Sequence, residues 1–559
     1  MSLSRSLLMV LLGFEIAMVS AQTTYYVSAS GSDSNNGLSA ATPFKTLAKA
    51  GTLSLGPGDQ LLLERGSVWR GERLRLNSVN GSDANPATIG AYGVGDKPTI
   101  YGSVPLPTSG WNPVSGSPNV YSQTFAPTTN AMYAGDQFLK NVGFAGFVSS
   151  TPNSWAKEGS TVYINTGGRD IATLPTAAGV IDRNIWVRQS QNFVVEDIVV
   201  RDSANSAAGE SFKVDESKNV TWRNLEAYNA SQHHFEVIDT SNFLGENLKA
   251  VTAEPGRGGS AYVSYSGQAS PTGHDDHVWR NISYEDTSRY MMFYTHGNKM
   301  GDLLIENAQS IGDTRIGIQT EGIDQHVVVR GGQVNAFDLF GNGILIDGVH
   351  VTGPNSLIMI NGNNNVVQNL LAETTAFDNS KNSLFFIQGK DNVVRFNTLN
   401  MDPSVTGDRM GLYISPKGSA EFYGNVMTNF PTDIRADGSL LRSDFNAYDQ
   451  GAFMLLFSTM NLASWNTFGF DKGSVVGPIS FADPGIDDFR LSGGQPAQGL
   501  VPSGFTDYPL KDYSGIQRSL VGPIDPGAFA VVPEASTIIL AGIGTAMALA
   551  AACRARRPS

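Results

Sequence analysis

The chain has 559 residues, a formal net charge of -13 and a single cysteine. This acidic balance disfavours a nucleic-acid partner, since such partners are held mainly by contacts between basic side chains and phosphates. It would also repel a polyanionic substrate unless basic residues such as Lys213, Arg257 and Arg315 compensated locally. With 61 glycines, 16% charged residues and no heptads or long amphipathic helices, the composition predicts many short strands and turns.

The N-terminus has the pattern of a secretory signal peptide over residues 1–21. Arg5 precedes an apolar segment, and small residues at 19–21 suit cleavage before Gln22. Glu15 is unusual inside such a segment, and a buried N-terminal helix is the alternative interpretation. Because Cys553 is the only cysteine and lies close to the C-terminus, we expect the exported protein to use no disulfide.

A second targeting pattern occupies residues 531–559. Pro533 and Glu534 precede an uncharged apolar run over 538–553, and an Arg cluster follows it. This order resembles the Pro-Glu-Pro C-terminal sorting signal that exosortases process in Gram-negative bacteria, although Ala535 replaces the second proline. The resemblance implies a secreted or cell-surface protein, a transient membrane anchor and an exosortase-type processing partner.

The interior contains an irregular repeat of short strands separated by Asn and Gly. Its blocks recur at intervals of roughly 20 to 30 residues, the range of solenoid coils. The blocks are NFVVEDI from Asn192, NVTWRNL from Asn219, NFLGENL from Asn242, DLLIENA from Asp302 and NVVRFNT from Asn392. A further strand precedes each block, so we predict an all-β fold, a right-handed parallel β-helix with apolar residues inside and Asn ladders at the turns. A β-propeller is the alternative.

Short motifs near the N-terminus resemble those of secreted pectin-lyase-like β-helix enzymes that act on carbohydrates. The motifs are TYYVSA, GSDSNNG, TPFKTLAKA and PGD. The resemblance implies an N-terminal cap with the first coils over 22–103, a small inserted β-domain over 104–180, a central β-helix over 181–435, and C-terminal coils with a cap over 436–530. It is specific for the fold and weak for the substrate, because one fold hosts many chemistries.

Strand alternation predicts a set of outward side chains on successive coils, which lie about 4.8 Å apart. The set is Lys213, Asp215, His234, Glu236, Tyr294, His296, Arg315 and Gln319. It forms a polar and aromatic stripe that could meet successive sugars of a chain. All seven histidines lie between residues 233 and 350, and imidazole titrates near neutral pH, so His234 and His296 are functional candidates. Chance clustering on a solvated face is the alternative.

Two carboxylates on this stripe suit glycoside hydrolysis, which needs one acid and one base or nucleophile. Asp215 and Glu236 lie on neighbouring coils, near the separation of about 5 to 9 Å that such enzymes use. Lys213 or His234 would hold one of them ionised, while burial keeps the other protonated. The alternative is a pair of solvated acids without a catalytic role.

A polysaccharide lyase is the main alternative reaction. A base would remove the proton beside a uronate carboxylate while cations neutralise the developing charge. Arg257, Tyr294, Lys299 and Arg315 are available for that role. Asp- and Asn-rich turns could bind Ca2+, although the sequence has no complete calcium motif and we assign no metal ligand.

Four short motifs resemble, in the same order, those of polygalacturonase-type glycosidases. They are VIDTS with Asp239, HDDH with Asp275 and Asp276, THG with His296, and TRIG with Arg315 and Ile316. Each departs from the family pattern: Asn is missing before Asp239, Thr replaces the first Gly of Gly-His-Gly, and Gly317 replaces Lys. The resemblance implies catalytic roles for Asp275 and His296.

The stretch GHDDHVWRN, residues 273–281, contains both residues with predicted structural roles and residues that are candidates for catalysis. Aligned on the repeat, Asp276 falls in the turn position of Asn219, and His277 falls at a core position. His326 occupies the same turn position in its own block. His274 and Asp275, in the loop before the strand, remain the candidates for chemistry.

Together these patterns predict a secreted enzyme that cleaves the glycosidic bonds of a polysaccharide, with hydrolysis favoured over elimination. A non-catalytic surface or matrix protein is the competing class. We expect a monomer without a nucleic-acid partner. The predicted catalytic residues are Asp215, Glu236, Asp275 and His296, and the predicted substrate-binding residues are Lys213, His234, Arg257, His274, Tyr294, Arg315 and Gln319.

Overall fold

The computed structural model describes most of the chain between residues 22 and 530. The described stretches are 22–135, 137–203, 209–252, 259–266, 275–286, 291–296, 300–319, 326–353, 356–376, 382–519 and 522–530. The predicted signal peptide and sorting signal lie outside them and stay predictions. Within these stretches, no helix is long and apolar enough to cross a membrane.

The chain winds into a parallel β-helix, which confirms the predicted fold class. Each coil gives one strand to a 14-stranded sheet and one or two strands to a 24-stranded sheet. In one coil, Glu210–Asp215 joins the first sheet, and Lys218–Arg223 and Glu226–Tyr228 join the second. The next coil places Phe235 beside Phe212 in parallel register.

The two sheets contain most of the described strands. The 14-stranded sheet comprises Leu74–Leu76, Arg183–Arg188, Glu210–Asp215, Phe235–Ile238, Tyr262–Tyr265, Met291–His296, Arg315–Ile318, Ala336–Leu339, Leu357–Ile360, Ser383–Ile387, Met410–Ile414, Thr432–Ala436, Phe453–Leu455 and Ser458–Met460. The 24-stranded sheet comprises Thr24–Val27, Gln60–Glu64, Val68–Arg70, Ala87–Tyr92, Thr99–Tyr101, Gln191–Glu196, Val199–Arg201, Lys218–Arg223, Glu226–Tyr228, Ser241–Thr252, Asp275–Asp286, Met300–Gly312, Val327–Val334, Ile344–Asp347, His350–Gly353, Val366–Gln368, Leu371–Thr374, Asn392–Arg395, Thr398–Met401, Ser419–Tyr423, Val426–Thr428, Ser439–Asp444, Ala447–Tyr448 and Val475–Val476.

Residues 103–179 interrupt the β-helix with two mostly antiparallel sheets. The first comprises Ser103–Leu106, Met132–Ala134, Gln137–Phe138 and Thr176–Gly179, and the second comprises Asn112–Pro113, Val120–Thr124, Lys140–Asn141, Ser154–Glu158 and Thr161–Asn165. A separate small core around Trp155 holds them together. The helical segments of the described residues are Leu47–Ala50, Ala145–Val148 and Leu462–Asn466, with 3-10 turns at Thr108–Gly110 and Pro484–Ile486.

The interior of the β-helix is filled by side chains that recur at one position of successive coils. Phe212, Phe235 and Tyr262 stack face to face, with ring centroids 5.1 and 5.2 Å apart. Trp222 and Trp279, from the 24-stranded sheet, pack against this stack. Because alternate residues of each strand turn inward to this core, the residues between them are left for the outer face.

Asn side chains form a ladder along one corner of the coils. Asn219 donates from Nδ2 to Oδ1 of Asn192 at 2.6 Å, and Asn242 donates to Asn219 at 2.8 Å. Their φ angles of 53 to 55° lie in the left-handed region, which Asn tolerates better than most residues. One coil on, Asp276 accepts a hydrogen bond from the Asp302 backbone N–H at 2.8 Å. Asp276 therefore takes the structural position predicted for it.

The described segment after the last coil folds back along the 24-stranded sheet. It contains the two-stranded sheet Phe481–Asp483 and Asp488–Leu491. Arg518 is buried in this segment, where it donates to the Asn369 side chain at 3.1 Å and to the Gly527 carbonyl at 2.8 Å. These contacts attach the C-terminal segment to the side of the β-helix.

Candidate active site

Outward residues of the 14-stranded sheet align in a row that crosses the coils. The strand register places Lys213 beside Glu236, Glu236 beside Val263, and Val263 beside Tyr294. This outer row comprises Arg75, Trp186, Lys213, Glu236, Val263, Tyr294, Gly317, Asp338, Met359, Phe386, Tyr413 and Arg435. Lys213, Glu236 and Tyr294 thus share one line, as strand alternation predicts.

Lys213 and Glu236 are enclosed charges of the outer row that pair with each other. The Lys213 ammonium contacts Oε2 of Glu236 directly, and each side chain is only 10% exposed. A buried ammonium needs a buried anion, because either charge alone would pay a large desolvation cost. Lys213 and Glu236 therefore form a buried ion pair that adds no net charge to this face of the sheet.

A second carboxyl group, that of Glu210, interacts electrostatically with both Lys213 and Glu236. Burial raises the pKa of Glu210 above its ordinary value, and the nearby charge of Glu236 raises it further, while Lys213 and Arg183 act to lower this pKa. The Arg183 Nε atom lies 3.1 Å from Oε2 of Glu210. Glu210 is thus biased toward its protonated form, and the neighbouring Glu236 is paired with Lys213.

Asp215, the predicted partner of Glu236, has a different environment. The register pairs Asp215 with Ile238 and places it two residues along the strand from Lys213, so its Cα is roughly 8 Å from that of Glu236 by strand geometry. Trp186 donates from Nε1 to Asp215 at 3.2 Å, and Arg188 Nε lies 3.4 Å from it. Burial raises the pKa of Asp215, and Arg188 opposes this rise.

The Trp186 indole is surrounded by guanidinium groups. Those of Arg75, Arg183 and Arg188 lie 4.2, 4.9 and 5.4 Å from the ring centroid. Arg183 and Arg188 also contact acids, whereas Arg75 is exposed at the N-terminal end of the outer row. The ring therefore orders basic side chains beside the carboxyl groups.

Three further predicted residues lie on later coils. Tyr294 donates from its hydroxyl to Oε1 of Gln319 at 3.0 Å. Arg315 donates to Oδ2 of Asp338 at 2.9 Å, and that carboxylate is nearly buried. Since the Arg315 guanidinium already binds an acid of the protein, its charge is less available to a substrate anion.

His234 does not face outward, so that expectation is wrong. Its side chain is 2% exposed, and Nε2 lies 3.1 Å from the Val251 carbonyl and 3.2 Å from the Thr252 hydroxyl. Burial lowers the pKa of His234 to about 4. The strand begins at Phe235, so His234 lies at the corner before it, where alternation does not apply. Because its Nε2 atom is held by Val251 and Thr252, the buried imidazole stabilises the coil.

The side chains of four predicted site residues lie outside the described part of the structure. Arg257 and His274 lie outside the described residues. Asp275 begins the Asp275–Asp286 strand of the 24-stranded sheet, and His296 ends the Met291–His296 strand of the 14-stranded sheet, beside Tyr265. Their side chains lie outside the described part of the structure, and their roles stay predictions.

His277 lies in the core, as the repeat alignment predicts. It is buried, with Nδ1 2.8 Å from the Ser264 hydroxyl and Nε2 2.7 Å from the Thr240 carbonyl. In the described residues, no group of three or more His, Cys, Asp or Glu side chains has an arrangement that could hold a metal ion.

Glu210 is the residue that sequence reasoning missed. Glu210 lies two residues before the inward residue Phe212 and four before Val214, so strand alternation predicts that its side chain points into the core. As the first residue of its strand, it instead meets Arg183 and the charges of Lys213 and Glu236. The sequence does contain a signal: an acid stands where alternation predicts an inward side chain, and buried acids are rare unless they are paired.

Comparisons with known proteins agree with the fold. No family model matches the chain. A stretch of 86 residues, 14% of this chain, is 45% identical to a lacto-N-biosidase of Bifidobacterium longum subsp. longum, and it spans 5% of that protein. The structure of XylC in complex with xylose matches 91% of this chain and 98% of its own, with a TM-score of 0.51 and 11% identity. A GH136 lacto-N-biosidase from Eubacterium ramulus matches 78% of this chain and 67% of its own, with a TM-score of 0.37 and 15% identity.

Proposed function

We propose that the protein is an exported carbohydrate-active enzyme that hydrolyses glycosidic bonds of a polysaccharide. The observation that carries this proposal is the pair of buried acids, Glu210 and Glu236, with Lys213 against one of them. Acids whose environments drive their protonation states apart are the requirement of glycoside hydrolysis. The fold likeness to XylC, whose structure contains xylose, supports a sugar ligand.

The two acids divide the reaction between them. Glu210, biased toward its protonated form, donates its proton to the glycosidic oxygen as the bond to the sugar breaks. Glu236, which is paired with Lys213, either attacks the anomeric carbon as a carboxylate or accepts a proton from the water that attacks. Asp215 lies on the same face and is the alternative partner for Glu236. Basic side chains around Trp186 would orient the substrate next to the acids.

The lyase remains a second proposal with weaker support. It needs cations free to neutralise a uronate, and Arg315 is already bound to Asp338. Ca2+ could supply that charge, so activity should be measured with the added ion and with a chelator. An unsaturated product, detected by its ultraviolet absorbance, would identify elimination and overturn hydrolysis.

The test of hydrolysis uses two conservative variants and one matched control. Glu210→Gln and Glu236→Gln each remove one ionisable oxygen without changing size. We expect each to lower kcat roughly 100- to 10,000-fold in a reducing-end assay on a polysaccharide panel. Glu226→Gln removes a lysine-paired carboxylate from the 24-stranded sheet and should retain activity. Wild-type rates in both site variants would contradict this assignment, and Asp215→Asn would then be the next variant to measure.

We also propose export by the signal peptide over 1–21 and anchoring through the sorting signal over 531–559, in a Gram-negative host. The expected mature protein is a monomer that begins near Gln22 and lacks its C-terminal apolar run. Mass spectrometry of the protein recovered from the cell exterior would detect both cleavages. Retention of the 538–553 run in that material would contradict exosortase processing.

A further inference from the structure

The C-terminal end of the outer row carries aromatic side chains that the candidate active site does not use. Phe386 and Tyr413 pack edge to face, with ring centroids 5.4 Å apart. The Arg435 guanidinium lies 5.1 Å from the Tyr413 ring and 5.0 Å from the Phe457 ring. Tyr413, Arg435, Asp437 and Phe457 are called the distal platform below.

Phe457 is presented by a tight hairpin turn that is unusual for its residue types. Leu455 pairs with Ser458, so Leu456 and Phe457 form a two-residue turn, with φ angles of 46° and 71°. Such turns favour Asn-Gly, because bulky side chains are strained at positive φ. The strained turn leaves Phe457 78% exposed beside Arg435. Backbone strain of this kind often marks a functional position.

Asp437 adds a hydrogen-bonding group beneath the rings. Its Oδ2 atom accepts hydrogen bonds from the Tyr413 hydroxyl at 3.2 Å and from Arg435 at 2.6 Å. The side chain is 6% exposed, and within the described residues its buried Oδ1 atom accepts no hydrogen bond. The platform thus combines ring faces and a guanidinium, groups that bind pyranose rings and their hydroxyls, with a buried carboxylate that holds Tyr413 and Arg435 in place.

The distal platform continues the same line of side chains that contains the candidate active site. From Glu236 to Tyr413 the register crosses seven strand spacings, or roughly 34 Å at about 4.8 Å each. A short oligosaccharide bound at Glu236 cannot reach that far, whereas a polysaccharide lying along the outer row can. The platform is therefore separate from the candidate active site and aligned with it.

We propose that the distal platform is a second glycan-binding site, which holds a polysaccharide chain far from the point of cleavage. The identification of the ligand as a glycan rests on the proposed function. Ring faces stack on the C–H faces of sugars, and Arg435, held in place by Asp437, binds hydroxyl groups. Such a site raises the affinity for long chains and leaves the chemistry to Glu210 and Glu236.

Affinity electrophoresis tests this proposal without turnover. Glu210→Gln protein would be run in gels containing xylan, polygalacturonate or alginate, with and without Phe457→Asn. Asn tolerates positive φ, so the variant removes the ring while keeping the turn. We expect about threefold to tenfold weaker retardation by a polymer that retards the parent, as for the loss of one aromatic contact. Leu456→Asn changes the neighbouring exposed residue of the same turn and should migrate like the parent.

Two results would overturn the proposal. One is equal retardation of the parent and Phe457→Asn by every polymer that binds, and the other is no retardation of the parent by any of the three polymers. Full hydrolytic activity in Glu210→Gln would instead refute the catalytic assignment. That result leaves the gel comparison intact, since retardation reports binding alone.

Discussion

Two lysine–glutamate ion pairs, one on each sheet, show how similar contacts take different roles. On the 24-stranded sheet, Lys97 contacts Glu226 at 2.9 Å, and the side chains are 25% and 29% exposed. On the 14-stranded sheet, Lys213 contacts Glu236 with both side chains 10% exposed. Burial acts to raise the pKa of Glu226, but hydrogen bonds from Lys97 and Tyr228 hold it below its ordinary value.

The two pairs differ because a second buried acid accompanies Lys213–Glu236. Beside Lys213 and Glu236 lies Glu210, whose pKa burial raises and Glu236 raises further. A pair kept for stability has no need of an additional buried carboxyl group, which costs free energy of folding. Perturbed acids of this kind cluster at functional sites. The comparison therefore supports the proposal that Lys213–Glu236 serves the reaction, whereas Lys97–Glu226 has the environment of a scaffold ion pair.

Lys213→Met should have the largest effect, because it leaves Glu236 buried without its cation. We expect the free energy of unfolding to fall by about 3–5 kcal/mol, the usual cost of removing one partner of a buried pair. Urea denaturation of the purified protein measures it. The double variant Lys213→Met/Glu236→Met, which removes both charges, should recover at least half of the loss. No recovery would show that packing, and not the unpaired charge, explains the effect.

Arg183→Met should have a smaller effect, on the pH dependence of activity. In the proposed mechanism Glu210 reacts in its protonated form, so kcat/KM should fall as pH rises through its pKa. Arg183 acts to lower that pKa, and its removal should move the fall to higher pH by roughly 0.5 to 1 unit. Arg73→Met is the matched control, since Arg73 also pairs with Asp182. Equal shifts in both variants would show that the fall of kcat/KM at high pH does not report the pKa of Glu210.

The main features of the fold were predictable because they repeat. Inward Phe212 and Phe235 recur on successive strands, and alternation then places Lys213 and Glu236 on the outer face. Asp276 and His277 were likewise assigned by their positions in the repeat. Inward residues of a solenoid coil must match their neighbours one coil away, so a single sequence contains several copies of the same constraint.

The candidate site was predicted less well, because its decisive residues lie at strand ends. Glu210 begins a strand and His234 precedes one, and at both corners the backbone turns so that side-chain parity is lost. Alternation wrongly predicted that His234 faces outward, and Glu210, a buried acid at the start of its strand, was not predicted to belong to the site. Spacing in the sequence also cannot indicate which of Asp215 and Glu210 responds to the charge of Glu236.

Lys97→Met should have the smallest effect. It tests directly whether the exposed and the buried lysine–glutamate pairs differ in their contribution to stability. Because the Lys97–Glu226 pair is partly exposed, we expect a loss of about 0.2–1 kcal/mol at neutral pH, further reduced by salt. The folded-state pKa of Glu226 is lowered, so the contribution of this pair is present above its unfolded pKa and is lost as pH falls through the folded value. Urea denaturation at neutral and acidic pH should show the variant and the wild type converging in acid. If Lys97→Met costs as much as Lys213→Met at neutral pH, burial does not distinguish the two pairs, and the argument that Lys213–Glu236 is functional loses its physical basis.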